Sequence, residues 1–380
     1  MKPAKSTCVG IAIFLGTLAS PVRLTAQSSS SGLVTFDVPG AEAAPGSNDG
    51  TFPESINTSG VVTGRFGGTD RVIHGFVLSA DGQFTVFDAP GASAIPGSGE
   101  GTLPESIDAA GVVTGHYTDA HTVRHGFVRS RTGRILTFDA PGAGAAPGSG
   151  WGTFPESINA GREITGHYID ASNATHGFVR NRGGEITSFD APGASISVGG
   201  TFPTSINDAG TIAGHYADEK AVNHGFLRSP GGRFVTFDAT AVDLTPGSND
   251  GTFPQSINAA GAVTGYYDGA DRVIHGFVRS PEGEFVTFDA PGAGVAPGSG
   301  WGTFPESING AGAVTGHYLD AHDVSHGFLR APDGELTTFD AAGASRSLGG
   351  TSPRSINDAG TIAGHYADGR VVDHGFIGSP

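Results

Sequence analysis

The chain of 380 residues carries 37 acidic and 21 basic residues, so its formal net charge is −16. Nucleic acids and anionic lipid surfaces are recognised by clustered Lys and Arg side chains, and this composition argues against both as partners. Its 63 glycines and 23 prolines approach the content of disordered chains, yet the glycines recur at fixed offsets beside Phe, Ile and Val, as turns between short strands require.

The first 26 residues have the pattern of a secretory signal peptide. Lys2 and Lys5 precede an apolar run over 8–19, and the stretch 24–26 ends in small residues that suit signal peptidase. The apolar run is shorter than the ~20 residues that span a bilayer. We therefore expect residues 1–26 to be cleaved. Residues 27–380 should then be secreted, to the periplasm or the extracellular space, as a monomer that does not insert into the membrane.

Cleavage would remove both sulfur-containing residues, Cys8 and Met1. The mature chain would then hold no disulfide and no thiolate that could act as a nucleophile or metal ligand. The signal also contains three of the 21 basic residues and none of the 37 acidic ones, which leaves a formal charge of −19. Such a surface favours cations or neutral polymers as partners.

The mature chain repeats one unit of about 50 residues seven times. Ser-Ile-Asn, with Asp108 once in place of Asn, and a Phe-Asp pair mark each copy. A His-Gly-Phe triplet also occurs in every copy, beginning at His74, His125, His176, His224, His275, His326 and His374. This period, with turn signals about every ten residues, is typical of a β-propeller blade.

The sequence pattern within each copy predicts four short antiparallel strands, which we letter A to D. In the second copy they fall at about 104–107, 112–117, 124–129 and 134–139. Tight turns join A to B and C to D, whereas the B–C and D–A connections are longer. In a four-stranded meander the two longer connections leave on the same face, where loops can vary without disturbing the blades.

The motif order predicts how the array ends. The mature chain begins with a lone strand D over 32–37 and ends soon after a strand C over 374–377. Pairing the first strand with the last three would complete a seventh blade and remove the exposed sheet edges. We therefore predict an all-β fold, a seven-bladed β-propeller of four-stranded blades over 27–380. An open β-solenoid is the alternative, although it does not account for the split copy.

The stretch 205–227, SINDAGTIAGHYADEKAVNHGFL, resembles the HAF repeat, an extracellular bacterial repeat. Units of that family carry Ile-Asn-x-x-Gly-x-x-x-Gly followed by His-Ala-Phe. The resemblance covers nearly the whole mature chain, with Gly in place of Ala in every triplet. It implies export and repetition, and it brings no established activity.

The triplet histidines are predicted to hold the blades together, because a residue that every blade contains is usually structural. Each copy offers a Ser, a His and an Asp that could share hydrogen bonds, such as Ser106, His125 and Asp139. A metal site is the alternative. If strands B and C turn around positions 120 and 121, His116 and His125 lie opposite one another, with Asp119 nearby.

Candidate binding residues lie on the face with the long connections. Trp151 and Trp301, which are the only tryptophans, could stack on sugar rings or simply pack across their loops. The residue before Ser-Ile-Asn starts the innermost strand and could point towards the channel mouth; it is charged in Glu54, Glu105, Glu156, Glu306 and Arg354. These carboxylates could form a solvated rim, hold Ca²⁺ or act as acid and base; no other cofactor is expected.

The leading interpretation is an exported binding module for a glycan or another extracellular or cell-surface polymer, bound by these tryptophans and charged residues. The rival is a carbohydrate-active enzyme, a glycoside hydrolase or polysaccharide lyase, using Glu156 or Glu306 with His121 or His322. A structural or protein-interaction scaffold is a third possibility. The sequence has no Gly-x-Ser-x-Gly elbow, phosphate loop or His-Glu-x-x-His helix, so no motif favours catalysis.

Overall fold

The computed structural model describes residues 27–28, 32–42, 44, 50–296, 299–347 and 349–380. The predicted signal peptide lies outside these residues. Across the described part, the regular structure consists of β-strands and no helix occurs. None of the described residues forms a helix that could cross a membrane.

Four strands recur through the chain, and we number the units 1 to 7 by their strand A. Strand A covers β3 (Thr51–Ile56), β7 (Thr102–Ile107), β11 (Gly152–Ile158), β15 (Thr201–Ile206), β19 (Thr252–Ile257), β23 (Thr303–Ile308) and β27 (Thr351–Ile356). Strand B covers β4 (Val62–Gly67), β8 (Val113–Thr118), β12 (Ile164–Ile169), β16 (Ile212–Ala217), β20 (Val263–Asp268), β24 (Val314–Leu319) and β28 (Ile362–Ala367). Strand C covers β5 (Ile73–Leu78), β9 (Arg124–Arg129), β13 (Thr175–Arg180), β17 (Asn223–Arg228), β21 (Ile274–Arg279), β25 (Ser325–Arg330) and β29 (Asp373–Gly378). Strand D covers β2 (Leu33–Phe36), β6 (Phe84–Phe87), β10 (Ile135–Phe138), β14 (Ile186–Phe189), β18 (Phe234–Phe237), β22 (Phe285–Phe288) and β26 (Leu336–Phe339).

Within a unit the strands pair in the order A–B–C–D, as β15, β16, β17 and β18 do. The predicted strands of the second copy agree with the observed ones to within two residues. Strand β2 pairs antiparallel with β29, so it completes the meander that β27, β28 and β29 begin. Strand β1 (Gln27–Ser28) adds to the outer edge of β2. The all-β fold of repeated four-stranded sheets is therefore confirmed.

The His-Gly-Phe triplet builds the core of each unit, as the third unit illustrates. Phe178 is fully buried, as is the triplet phenylalanine of every other unit. Gly177 leaves room for neighbours, because a Cβ atom there would lie 2.6 Å from the ring of Phe189 and 2.9 Å from Pro203 of the next unit. Glycine thus lets strand D and the following strand A approach strand C.

Neighbouring units are joined by a repeated side-chain hydrogen bond near the end of strand A. The serine of Ser-Ile-Asn accepts the backbone N–H of the isoleucine in the next unit, at 3.2 to 3.4 Å. The same bond joins Ile56 of unit 1 to Ser355 of unit 7. Strand A therefore lies against strand A of the next unit throughout the array.

The two long connections meet on one face, as predicted. In unit 2, the N–H of Gly148 in the D–A connection donates to the carbonyl of His121 in the B–C connection at 2.7 Å. The same contact joins Gly97 to Asp70 and Gly247 to Lys220. We call this surface the long-loop face, and the surface with the A–B and C–D turns the short-turn face.

Candidate functional site

The A strands of all units surround one central cavity. The part of this cavity at the short-turn face has a volume of about 250 Å³. It is lined by the last residue of each strand A and the two residues that follow, such as Ile56, Asn57 and Thr58. Strand A has a β-bulge between its proline and its serine, which falls at the position of the predicted charged residues. These side chains meet one another across the units and form a charged cluster.

In units 6, 7 and 1, the negative charges of this cluster are balanced by positive ones. Arg354 contacts Glu54 at 3.3 Å and Glu306 at 3.2 Å, and Arg65 contacts Glu54 at 2.5 Å. Burial lowers the pKa of Arg354, but the Glu54 and Glu306 carboxylates outweigh that effect and raise it. Sequence reasoning missed Arg65, although it stands where most units have a strand B histidine. These charges are neutralised inside the protein.

Glu105 and Glu156 form the other part of the charged cluster, in which no ion pair balances the negative charge among the described residues. Their nearest ionisable contacts are His116 Nδ1 at 3.6 Å and His167 Nδ1 at 3.4 Å. Burial lowers the pKa of each histidine to about 3, so both imidazoles are neutral. Burial, followed by the charge of Glu54, raises the pKa of Glu156 to about 7. Burial and then Glu156 raise the pKa of Glu105 well above its usual value.

The strand B histidines belong to an aromatic layer between neighbouring A strands. His167 stacks on Phe154 of its own unit, with ring centroids 4.6 Å apart, and contacts Phe202 of the next unit at 5.5 Å. Tyr266 takes the same place in unit 5, between Phe253 and the following unit. The layer packs neighbouring units together.

The histidines of the rival interpretation lie elsewhere. His121 and His322 are exposed on B–C connections, where each Nδ1 lies 3.5 Å from Asp119 and Asp320 respectively. Within the described residues no contact joins either of them to Glu156 or Glu306. The structure therefore does not bring His121 or His322 into contact with Glu156 or Glu306. It does place Glu105 close enough to Glu156 for their charges to interact.

Metal coordination finds little support in this geometry. Among the described residues, no three His, Cys, Asp or Glu side chains are grouped so as to hold a metal ion. Glu54 and Glu306 already bind Arg354. Binding of Ca²⁺ by the glutamates stays a prediction.

The predicted pairing of His116 with His125 is wrong. His116 lies opposite Gly126, and His125 lies opposite Tyr117, so the two histidines project from opposite faces of the sheet. The cause is a five-residue B–C connection in which Thr122 has φ of 60°.

Each triplet histidine pairs with the aspartate that follows strand D. In all seven units, Nδ1 lies 2.8 to 2.9 Å from the carboxylate, as between His125 and Asp139. The His125 ring also stacks on Tyr117 at 5.1 Å. Ser106 is not part of this group, because its Oγ accepts the N–H of Ile158 in the next unit. These contacts tie strand D to strand C, and the structural role of the histidines stays a prediction.

Trp151 and Trp301 lie on the long-loop face, and both are partly exposed. Each ring packs on a glycine of its own connection: a Cβ atom on Gly144 or Gly294 would lie 2.9 Å from the indole. Trp151 also donates its Nε1–H to Asn173 Oδ1 at 3.0 Å. Each indole thus packs across its loop and keeps exposed surface, and stacking on a sugar ring stays a prediction.

No protein-family model matches the sequence, and no curated protein matches it significantly. Among solved structures, a prolyl endopeptidase superposes with a TM-score of 0.51 at 12% identity, covering 91% of this chain and 46% of the enzyme. Puromycin hydrolase gives a TM-score of 0.51 at 12% identity, covering 92% and 54%. A lectin from the fungus Aleuria aurantia, described as a six-bladed β-propeller with a novel mode of fucose recognition, gives 0.39 at 12% identity, covering 85% and 89%.

The chain spans about half the length of the two enzymes, and at this identity the likeness concerns the fold alone. Repeated four-stranded meanders whose innermost strands surround one cavity define a protein of the β-propeller type.

Proposed function

We propose that the chain is an exported carbohydrate-binding module that holds a glycan, or another extracellular or cell-surface polymer, on its long-loop face. The observation that carries the proposal is the pair of partly exposed indoles, Trp151 and Trp301, each supported from below by a glycine. A rigid aromatic surface gives a sugar ring a large contact area at little cost in conformational entropy. Asn173 fixes the Trp151 ring further.

A pull-down on insoluble polysaccharides and a glycan array, both with residues 27–380, test this proposal. The double variant Trp151→Ala, Trp301→Ala is expected to weaken retention at least about tenfold, because buried aromatic anchors dominate binding energy. The control variant His121→Ala, His322→Ala changes two exposed residues of the same face and should bind as the wild type does. Equal retention by the tryptophan variant would refute the proposal. An arm with EDTA shows whether Ca²⁺ contributes.

The Glu105–Glu156 pair favours a carbohydrate-active enzyme as the second candidate. A carboxyl group with a pKa near 7 is protonated close to neutrality and can act as a general acid. Glu306 is less suited to this role because Arg354 binds it. Reducing ends released from a polysaccharide panel, and lost in the Glu156→Gln variant, would support this candidate. The absence of any product would leave the binding module or a scaffold.

We also propose that the units close into one ring of seven blades, and that the chain is a variant of the HAF repeat. The pairing of β2 with β29 supports closure, and so does the hydrogen bond from Asn357 Nδ2 to the carbonyl of Asn57 at 3.0 Å. The likeness to the HAF repeat rests on the sequence motifs alone.

A disulfide engineered into the mature chain tests closure. Val34 lies opposite Ile377, so the Val34→Cys, Ile377→Cys variant should form the bridge. Val278 has the position of Ile377 in unit 5, and Val34→Cys, Val278→Cys serves as the control that should stay reduced. Free thiols in the first variant would contradict the closed ring.

A further inference from the structure

A second cavity, which we call the arginine pocket, lies between units 2 and 3 on the short-turn face. It has a volume of about 250 Å³. Its apolar wall includes Val112, Val128, Leu136 and Ile164, and its charged wall consists of Arg134, Arg162, Arg180 and Arg182. Four guanidinium groups around one small cavity are unexpected in a chain whose net charge is −16.

The charge of the arginine pocket is not neutralised by the chain. Within the described residues none of its four arginines forms an ion pair. Two nearby carboxylates are engaged by amides: Glu163 accepts from Asn159 Nδ2 at 2.9 Å, and Glu185 accepts from Asn181 Nδ2 at 3.2 Å. The guanidinium of Arg180 lies over the Phe138 ring, 4.8 Å from its centroid, and its Nε is buried without a hydrogen-bond partner. Both features belong to the repeat, because the equivalent arginines Arg129, Arg228, Arg279 and Arg330 share them. An external anion would reduce the mutual repulsion of these groups.

Arg162 occupies a backbone position that favours glycine. Its φ is 63° in the A–B turn. The six other units place a glycine there, with φ between 76° and 89°, at Gly60, Gly111, Gly210, Gly261, Gly312 and Gly360. The turn is otherwise the same, since Arg162 N–H donates to Asn159 as Gly60 N–H donates to Asn57. A left-handed conformation is strained for a residue with a Cβ atom, so Arg162 carries a local conformational cost that the glycines of the other units do not.

The corresponding groove between units 1 and 2 lacks this wall. That cavity, of about 450 Å³, contains the two arginines Arg129 and Arg131 and has Gly111 in place of Arg162. A groove between neighbouring units is therefore a feature of the repeat. Of these two grooves, the wall of four arginines occurs only in the groove between units 2 and 3.

We propose that the arginine pocket binds an oxyanion, such as a sulfate, phosphate or carboxylate group, attached to an apolar portion that lies on Leu136 and Val112. Guanidinium groups match the geometry of oxyanions and pair with them through two parallel hydrogen bonds. The pocket lies on the face away from Trp151 and Trp301, and the inference does not depend on the proposed glycan site.

Titration calorimetry of residues 27–380 with sodium sulfate, sodium phosphate, benzoate and 2-naphthalenesulfonate tests the proposal. The two aromatic anions carry an apolar portion, so at least one should bind more tightly than either inorganic ion, and its affinity should fall as NaCl is raised. Arg162→Gly is the central variant, because it installs the residue of the six other units. We expect it to weaken binding at least about tenfold while unfolding at the same temperature or higher.

The matched control is Arg272→Gly, which also replaces an arginine at φ of 61° but lies in a B–C connection of unit 5. It should bind as the wild type does. A second variant, Arg134→Gln, installs the residue that unit 1 has at this position, Gln83, and should also weaken binding. Failure of all four anions to bind the wild type, or unchanged binding by Arg162→Gly, would overturn the proposal.

Discussion

At the residue scale, one side chain joins each unit to the next at the end of strand A. The asparagine of Ser-Ile-Asn donates its Nδ2–H to the carbonyl of the same position in the following unit, at 3.0 to 3.1 Å. Asp108 interrupts this series, because a carboxylate has no N–H to donate to Asn159. Its Oδ2 is buried without a hydrogen-bond partner.

We predict that Asp108→Asn stabilises the protein by about 1 kcal/mol, since it supplies the missing donor and removes an unsatisfied buried oxygen. Urea unfolding followed by circular dichroism measures the change. Asn258→Asp is the reciprocal control, because Asn258 is also followed by Ala-Ala-Gly, and it should lose a similar amount. An unchanged midpoint for Asp108→Asn would contradict this explanation.

The Glu105–Glu156 pair predicts a specific pH dependence. The pKa of Glu156 is raised from 4.5 to about 7 in the folded protein, so the native state holds its proton more tightly than the unfolded chain does. Stability from this proton is present below pH 4.5 and is lost as the pH rises through about 7. The effect is isolated by the Glu105→Gln, Glu156→Gln variant, which retains the neutral His116 and His167.

Unfolding of the wild type and this variant in urea should therefore be compared between pH 4.5 and pH 8. The free energy of unfolding of the wild type, relative to the variant, is expected to fall over this range. A constant difference would show that the two carboxyl groups titrate normally, and would weaken the case for a general acid at this site.

At the element scale, strand C illustrates what each residue of the repeated triplet does. In unit 3, His176 pairs with Asp190 at 2.9 Å, Gly177 gives space to neighbouring rings, and Phe178 fills the core. The HAF repeat, which the sequence motifs resemble, has Ala where this chain has Gly. The strand D phenylalanine, such as Phe189, occupies the space that the extra methyl group would need.

Gly177→Ala is accordingly predicted to lower the free energy of unfolding by about 1 to 3 kcal/mol, as overpacking of a filled site does. Thermal unfolding measures the loss. Restoring space with Gly177→Ala, Phe189→Leu should recover part of it. If the single variant unfolds like the wild type, the close packing of strands C and D is not needed here.

The sequence predicted the strands well but not every register. Alternation of apolar residues located strands A to D of the second copy within two residues, because burial on one sheet face has a period of two. The B–C register was missed by one residue. A non-glycine residue at positive φ, Thr122, adds length to the connection, and propensity gives no sign of it. A shift of one residue moved His116 to the opposite face from His125.

At the scale of the whole molecule, the sevenfold recurrence of three motifs predicted repeated four-stranded sheets and the pairing of the first strand D with the last strand C. The charged contacts were harder to predict because they join side chains of different units, which lie far apart in the sequence. Glu54 and Arg354 are 300 residues apart in the sequence and form a hydrogen bond of 3.3 Å. The arginine pocket joins Arg134 with Arg162, and aligning the copies shows only that an arginine has replaced glycine in one A–B turn.

The long-loop face is proposed to bind a glycan through its two indoles. Trp151 and Trp301 are the only tryptophans of the chain, so its tryptophan fluorescence reports on this face alone. The most direct measurement is therefore a fluorescence titration with the polysaccharide or oligosaccharide that the pull-down retains, with acrylamide quenching at each step. We predict a saturable blue shift and protection from acrylamide, both at the concentration that gives half-maximal retention. Saturable binding that leaves the emission and its quenching unchanged would contradict the claim.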